Sequence, residues 1–167
     1  MSILVTYASK RGGTKGLAEM VADDLRGEGF TVDLVPADQV RRCDGYDAVI
    51  VGGALYALRW HRDAKRFVRR HTGDLRRCPT FFFSSGPLDD SASNKDIPPV
   101  KGVQALMKRV GARGHVTFGG RLSPDATGFA ASAMAKKNAG DWRDPGKVEA
   151  WVHSIAPQLR TAAAHIS

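Results

Sequence analysis

The chain has 167 residues, 43% of them hydrophobic and 25% charged, which is typical of a globular protein that forms one domain with a buried core. No apolar run is long enough to span a membrane, the first residues lack the pattern of a secretion signal, and Cys43 and Cys78 lack the spacing of metal ligands. We therefore expect a single, reduced, cytoplasmic domain over residues 1–167, whose net charge of +8 indicates an anionic partner.

Apolar runs of strand length recur along the whole chain, and helical patterns separate them. The predicted strands comprise residues 3–7, 32–35, 48–51, 80–83 and 115–118. Three of these runs are continuously apolar, which is typical of strands that are covered on both faces.

Apolar residues at helical spacing mark the segments between the strands. Helices are predicted over residues 14–27 and 60–71, and a third helix ends at Gly111. The last helix begins after Asp144 as its N-cap, and we expect Pro157 to end or kink it. The alternation predicts an α/β fold, a doubly wound five-stranded parallel sheet in the order 2-1-3-4-5 with helices on both faces.

A glycine-rich loop follows the first predicted strand and precedes the first helix. The unpaired backbone N–H groups at the start of a helix favour an anion, and Gly12 and Gly13 let the backbone close around it. Hydroxyl groups on Ser9 and Thr14 could donate further bonds. The loop predicts a site for a phosphorylated cofactor, although a glycine-rich turn without a ligand would have the same sequence.

The loops after the third and fourth strands end at the same edge of the predicted sheet. Small residues follow the third strand, and Tyr56 or Trp60 could stack on a planar ring. For Trp60 we favour packing on the sheet at the start of the next helix. His61 could donate a proton near the ring, but we favour a surface position at the start of that helix. The second loop, residues 84–89, could wall the other face of the ring. Trp142 is expected to anchor the loop before the last helix.

These segments, taken in order, resemble one branch of the flavodoxin-like family. The branch includes small FMN-dependent protoporphyrinogen oxidases that pass electrons to a quinone. The resemblance rests on Tyr7-Ala8-Ser9, Gly12, Thr14, Gly53-Ala54, Tyr56, Trp60-His61, Phe83 to Pro87, Phe118 to Gly120 and Gly140 to Trp142. The oxidases carry an aromatic-rich basic insertion before the last helix, whereas the matching region, Leu122 to Asn138, is rich in Ala and Ser.

The resemblance implies FMN as the cofactor, and the spacing of the cysteines leads us to expect no metal. It implies cofactor contacts from three loops, comprising Ser9, Lys10, Arg11, Gly12, Gly13 and Thr14, then Ala54, Leu55, Tyr56 and Ala57, then Ser85, Gly86 and Pro87. No catalytic side chain is identified.

A basic stripe lies at helical spacing within residues 60–71. A solvated face has this pattern, and so does a docking surface for an acidic redox protein or an anionic membrane, which would place the protein at the periphery of the inner membrane. Nucleic acid is not expected, because no binding motif is present. The stripe comprises Arg62, Lys65, Arg66, Arg69 and Arg70.

Three functions remain open from the sequence. The first is an FMN-dependent oxidoreductase, similar to the protoporphyrinogen oxidases with a quinone acceptor. The second is a flavodoxin-type electron carrier without a substrate of its own, which passes electrons to a redox partner protein. The third is a member without a ligand that docks acidic partners through its basic stripe.

Overall fold

A computed structural model describes residues 1–10, 12–122 and 140–165 of the chain. The strands are β1 (Ser2–Ala8), β2 (Thr31–Pro36), β3 (Ala48–Tyr56), β4 (Arg59–Trp60), β5 (Thr80–Ser85), β6 (Gly114–Phe118), β7 (Arg121–Leu122) and β8 (Gly140–Asp141). The helices are α1 (Gly13–Gly27), α2 (Arg62–Arg70), α3 (Thr72–Leu75), α4 (Ser91–Asn94), α5 (Lys101–Val110) and α6 (Pro145–Ala164), with a short 3-10 helix at Ala37–Gln39.

The five predicted strands form a parallel sheet in the order β2-β1-β3-β5-β6, which confirms the predicted order. Two features were not predicted. Strand β3 continues to Tyr56, so that Ala54–Tyr56 are strand residues and not a loop. They extend the strand because β4 turns back and pairs antiparallel with them. A second small sheet pairs β7 with β8.

Both faces of the sheet are covered, as the continuous apolar strands predict. Side chains that alternate along β1 point to opposite sides, so that Ile3 packs with α1 and α6, whereas Leu4 packs with α2, α3 and α5. The core on the first side includes Leu17 and Val152, which lie on the predicted apolar faces of their helices. None of the described helices combines the length and apolar character that a bilayer crossing requires.

Helix α6 continues through Pro157 to Ala164, so of the two predicted outcomes the end of the helix at this proline is wrong, and a kink there stays a prediction. Proline removes one backbone donor from the helix and its ring crowds the carbonyl four residues earlier, so other contacts must offset this cost. Ile155 and Ala156 before it and Leu159 after it are all buried in the same core, and this packing keeps the chain helical on both sides.

Candidate functional site

A cleft of about 490 Å³ lies at the carboxyl ends of the parallel strands. It opens where the strand order reverses between β1 and β3, which is where ligands bind in doubly wound sheets. The three loops predicted from the sequence meet there. From these loops the cleft is lined by Ser9, Lys10, Gly13, Thr14, Ala54, Leu55, Tyr56, Ala57, Ser85, Gly86 and Pro87.

The loop between β1 and α1 is shaped by Gly12. Its φ of +79° is in the left-handed region, and its N–H donates to the Ser9 Oγ at 3.0 Å. Ser9 accepts this bond and keeps its own O–H to donate. Helix α1 has no side-chain cap and no acidic residue in its first turn, so its first amide groups are available to an anion. Gly12 does not itself line the cleft, and Arg11 lies outside the described residues.

Trp60 packs on the sheet, as favoured from the sequence, but it does so from β4 and not from the start of a helix. Its indole is 3% exposed, lies 5.0 Å from the Phe82 ring and covers Gly53. A Cβ on Gly53 would lie 2.4 Å from the Trp60 Nε1, so that only glycine fits there. Trp60 therefore belongs to the core beneath β3, next to the strand residues Ala54 and Leu55 that line the cleft.

The two-residue turn between β3 and β4 holds exposed apolar side chains at the mouth of the cleft. Ala57 and Leu58 have φ of +46° and +61°, the geometry of a type I′ turn, which usually contains Asn or Gly. Left-handed backbone costs about 1–2 kcal/mol for each residue with a Cβ. Leu58 is 78% exposed and Tyr56 is 44% exposed. The strained turn keeps both apolar side chains in solvent beside the cleft.

The loop after β5 is held close to the other loops by backbone contacts. Gly86 donates its N–H to the Phe118 carbonyl at 3.2 Å, and Gly120 donates to the Pro87 carbonyl at 2.8 Å. A Cβ on Gly86 would lie 2.9 Å from Leu55 Cδ1. This wall is therefore backbone, which lets it approach a flat ligand closely.

His61 lines the cleft, and the prediction of a surface position is wrong. Its side chain is only 9% exposed, and its Nδ1 caps α2 by accepting the Asp63 N–H at 3.0 Å. Burial lowers the pKa of His61. In the neutral ring Nδ1 is the acceptor, so Nε2 carries the hydrogen and can donate.

Several lining residues were missed from the sequence. The stretch before α5 contributes an apolar wall, which its Ile-Pro-Pro-Val sequence could have suggested. Strand β7 contributes Arg121, whose backbone and Cβ lie 3.3 Å from a Cβ built on Gly13, so the chain passes the α1 N-terminus at this basic residue. The missed residues are Leu58, Ile97, Pro98, Val100, Thr117, Gly120 and Arg121, whereas Leu88, which also lines the cleft, belongs to the loop of residues 84–89 that was predicted to wall it.

Trp142 does not line the cleft. Its backbone N–H donates to the Gly120 carbonyl at 2.9 Å, and its ring packs over Gly140, which supports the anchoring role predicted for it. Residues 123–139, which include most of the segment compared with the insertion of the oxidases, lie outside the described residues.

A family model described as a flavodoxin domain matches residues 4–139. This chain belongs to the flavodoxin domain family. The described fold agrees with solved structures: an archaeal flavodoxin has a TM-score of 0.65 at 13% identity, over 96% of this chain and 99% of that one. A flavodoxin from Pseudomonas aeruginosa has a TM-score of 0.64 at 14% identity, over the same shares of each chain.

The curated relatives match a shorter part of the chain than the solved flavodoxin structures do. Protoporphyrinogen IX dehydrogenase [quinone] from Escherichia coli strain K12 is 24% identical over 86 residues, which cover 50% of this chain and 48% of the relative. The chain thus spans about half the length of the curated relatives it matches. It also covers 37% of the rubredoxin:oxygen oxidoreductase of Desulfovibrio gigas, with a TM-score of 0.66 and 15% identity.

Membership in this family indicates FMN as the cofactor. The described residues fit it: an uncapped helix N-terminus in a cleft that Lys10 and Arg121 also line suits a phosphate, and the wall that Leu55 and the Gly86 backbone form together suits the face of a flat ring. That the thirteen predicted residues contact the cofactor stays a prediction, since the structure shows only where they lie.

Proposed function

We propose that the chain is an FMN-dependent oxidoreductase of the protoporphyrinogen-oxidase type, which exchanges electrons with small apolar molecules and uses a quinone as acceptor. The observation that carries this proposal is the apolar mouth of the cleft. Leu58 stands exposed on one rim, and Leu88, Ile97 and Val100 line the same cleft. An electron carrier that meets only proteins does not need an apolar entrance for a small molecule.

Bound FMN supplies the exchange of hydride or single electrons with substrate and acceptor. The protein binds its phosphate with the α1 amides and with Ser9 and Thr14. Leu55 and the Gly86 backbone hold the ring, and Tyr56 reduces the access of water. His61 presents the N–H of Nε2 as a donor, the one neutral imidazole among the residues that line the described cleft.

The basic surface, defined by Arg62, Lys65, Arg66, Arg69 and Arg70, supports a peripheral contact with an anionic membrane. Arg62, Arg66, Arg69 and Arg70 are exposed on α2, which begins at the cleft rim. The charged face of α2 and the apolar tip at Leu58 are joined through Arg59, so a cytoplasmic protein could meet the inner membrane with both. Such a contact would bring the cleft mouth to the source of a lipid-soluble quinone.

The second candidate is a flavodoxin-type electron carrier. It is favoured by the same basic surface, because an acidic redox protein could dock on α2 beside the cleft. Long-range attraction between opposite charges on the two proteins raises the association rate and is sensitive to salt.

The decisive experiment measures how the reduced, FMN-loaded protein is reoxidised. We expect a soluble quinone to reoxidise it, and Leu58→Ser to slow this several-fold without changing FMN affinity. Leu58→Met is the matched control and should retain the rate. Oxidation of a porphyrinogen by the loaded protein would identify the substrate class. Reoxidation by an acidic redox protein but not by quinone would contradict the proposal and favour the carrier.

Membrane contact is tested by sedimentation with vesicles of anionic phosphatidylglycerol. Reversal of charge at Arg66 and Arg69 to Glu should reduce binding at least tenfold, by about 1 kcal/mol for each residue near the surface. The control is Arg76→Glu with Arg113→Glu, the same charge change at exposed residues that precede β5 and β6. Equal binding by both double variants would show that the basic surface is only solvated.

A further inference from the structure

Three metal-ligating side chains come together away from the cleft. Cys43 lies in the connection from β2 to β3, His71 joins α2 to α3, and Asp74 lies one turn further on α3. One ligand atom from each lies within 4.8 Å of the other two. Because α3 leads into the amino end of β5, the cluster is at the opposite edge of the sheet from the cleft.

The spacing of these atoms suits a tetrahedral ion. The Cys43 Sγ is 3.8 Å from the Asp74 Oδ2. Zinc bonds of about 2.3 Å to sulfur and about 2.0–2.2 Å to oxygen place tetrahedral ligands roughly 3.6 Å apart. The other carboxylate oxygen, Oδ1, faces Arg77 at 3.7 Å, which leaves Oδ2 directed at the thiol. A weak thiol–carboxylate hydrogen bond would explain this pair but not the imidazole beside it.

A second observation comes from the histidine itself. His71 is 7% exposed and Cys43 is 2% exposed, so both are nine-tenths or more buried. The Nε2 of His71 is buried without any hydrogen-bond partner among the described residues. An unpaired buried polar atom costs about 1–3 kcal/mol, a cost that a ligand can remove.

We propose that Cys43, His71 and Asp74 bind one Zn²⁺ ion. Thiolate, imidazole and carboxylate together suit zinc, whereas magnesium and calcium prefer oxygen ligands alone. The side chain of Asp74 is 29% exposed, so that water can complete the coordination on that side. The ion joins the β2–β3 connection to the corner between α2 and α3, and its role is structural.

The test uses the FMN-loaded chain of 167 residues without a histidine tag, stripped of metal by a chelator and titrated with Zn²⁺ in competition with a chromophoric chelator. We expect one ion per chain, and a thiolate-to-metal absorption band when Co²⁺ replaces it. At least a tenfold loss of affinity is expected in Cys43→Ser, His71→Gln and Asp74→Asn. The matched controls, which should retain binding, are Cys78→Ser, His153→Gln and Asp44→Asn.

Two results would overturn the proposal. One is that the wild-type protein binds no Zn²⁺ at equimolar concentration or shows no thiolate-to-metal band with Co²⁺. This measurement does not depend on whether any variant folds. The other is an equal loss of Zn²⁺ affinity in the ligand variants and in the control variants. Asp74→Asn changes a partly exposed side chain and should fold, and FMN affinity should be the same in every variant, which separates this site from the cleft.

Discussion

Replacement of Gly12 by alanine is the most direct test of the phosphate loop. A Cβ at this position would meet no atom within 4 Å, so that the substitution changes only the backbone preference. The φ of +79° is the reason why glycine is required. Gly102 offers a matched control, because it also has open space around its Cβ but lies in α5 with ordinary helical backbone.

The size of the effect follows from these two environments. Left-handed backbone costs alanine about 1–2 kcal/mol, and the less flexible unfolded chain offsets about 0.4–1 kcal/mol of this. Gly12→Ala should therefore lower the free energy of unfolding by roughly 1 kcal/mol, which lowers Tm by about 2–4 °C in a chain of this length. Gly102→Ala should raise the free energy of unfolding by about 0.5–1 kcal/mol.

If the loop of Gly12→Ala relaxes to negative φ, the hydrogen bond from the residue 12 N–H to Ser9 breaks. The variant then binds FMN more weakly instead of being less stable. A cost of about 1–2 kcal/mol corresponds to roughly 5–30-fold weaker FMN binding. The assays are chemical denaturation of the FMN-free protein and fluorescence titration with FMN. The reasoning would be refuted if Gly12→Ala were as stabilising as Gly102→Ala and bound FMN with unchanged affinity.

Four further predictions concern single features. Thr14→Ala should weaken FMN binding roughly tenfold, as the loss of a hydrogen bond to a charged group does, measured by titration. Gly53→Ala should destabilise the fold by about 1–3 kcal/mol in denaturation, because the added Cβ would lie 2.4 Å from the buried Trp60 indole. Lys10→Gln with Arg59→Gln should lower the midpoint potential of the bound flavin by tens of millivolts, since positive charge favours the reduced anion; about 59 mV is a tenfold change for one electron. Burial lowers the pKa of His115 from 6.5 to about 4, so stability should be full above pH 6.5 and fall as the pH drops toward 4, where the unfolded chain binds a proton that the folded one does not.

Each of these has a control and an outcome that contradicts it. Thr14→Ser should retain FMN affinity; equal losses in Ser and Ala variants would exclude a role for the hydroxyl. Gly45→Ala, with open space around its Cβ, should leave stability nearly unchanged. An unchanged potential in the double Gln variant would show that its charges are screened. In His115→Gln the fall in stability between pH 6.5 and 4 should diminish, and an identical pH profile would assign it to other groups.

The sequence by itself determined the sheet and the loops that surround the cleft. Apolar runs such as residues 80–83 indicate buried strands because burial on both faces requires apolar side chains throughout. Gly12 and Gly13 between a strand and a helix indicate an anion-binding turn for equally local reasons. These signals depend on the residue and its near neighbours, so they could be predicted without the fold.

Other features depend on which segments the fold brings together. The left-handed turn at Ala57–Leu58 carries no glycine signal, so strand β4 and the buried position of His61 became visible only once β3 was paired. Pro157 breaks isolated helices, yet burial of its neighbours maintains α6. Arg121 reaches the phosphate loop from a distant segment.

The cluster of Cys43, His71 and Asp74 shows most clearly what could not be predicted from the sequence alone. Its members lie on two connections whose spacing in sequence resembles no metal motif, and the two parts meet only because β3 and β5 are neighbours in the sheet. Local sequence determines what each segment forms. Long-range packing decides which side chains share a site, because hydrophobic burial is non-directional and acts on the chain as a whole.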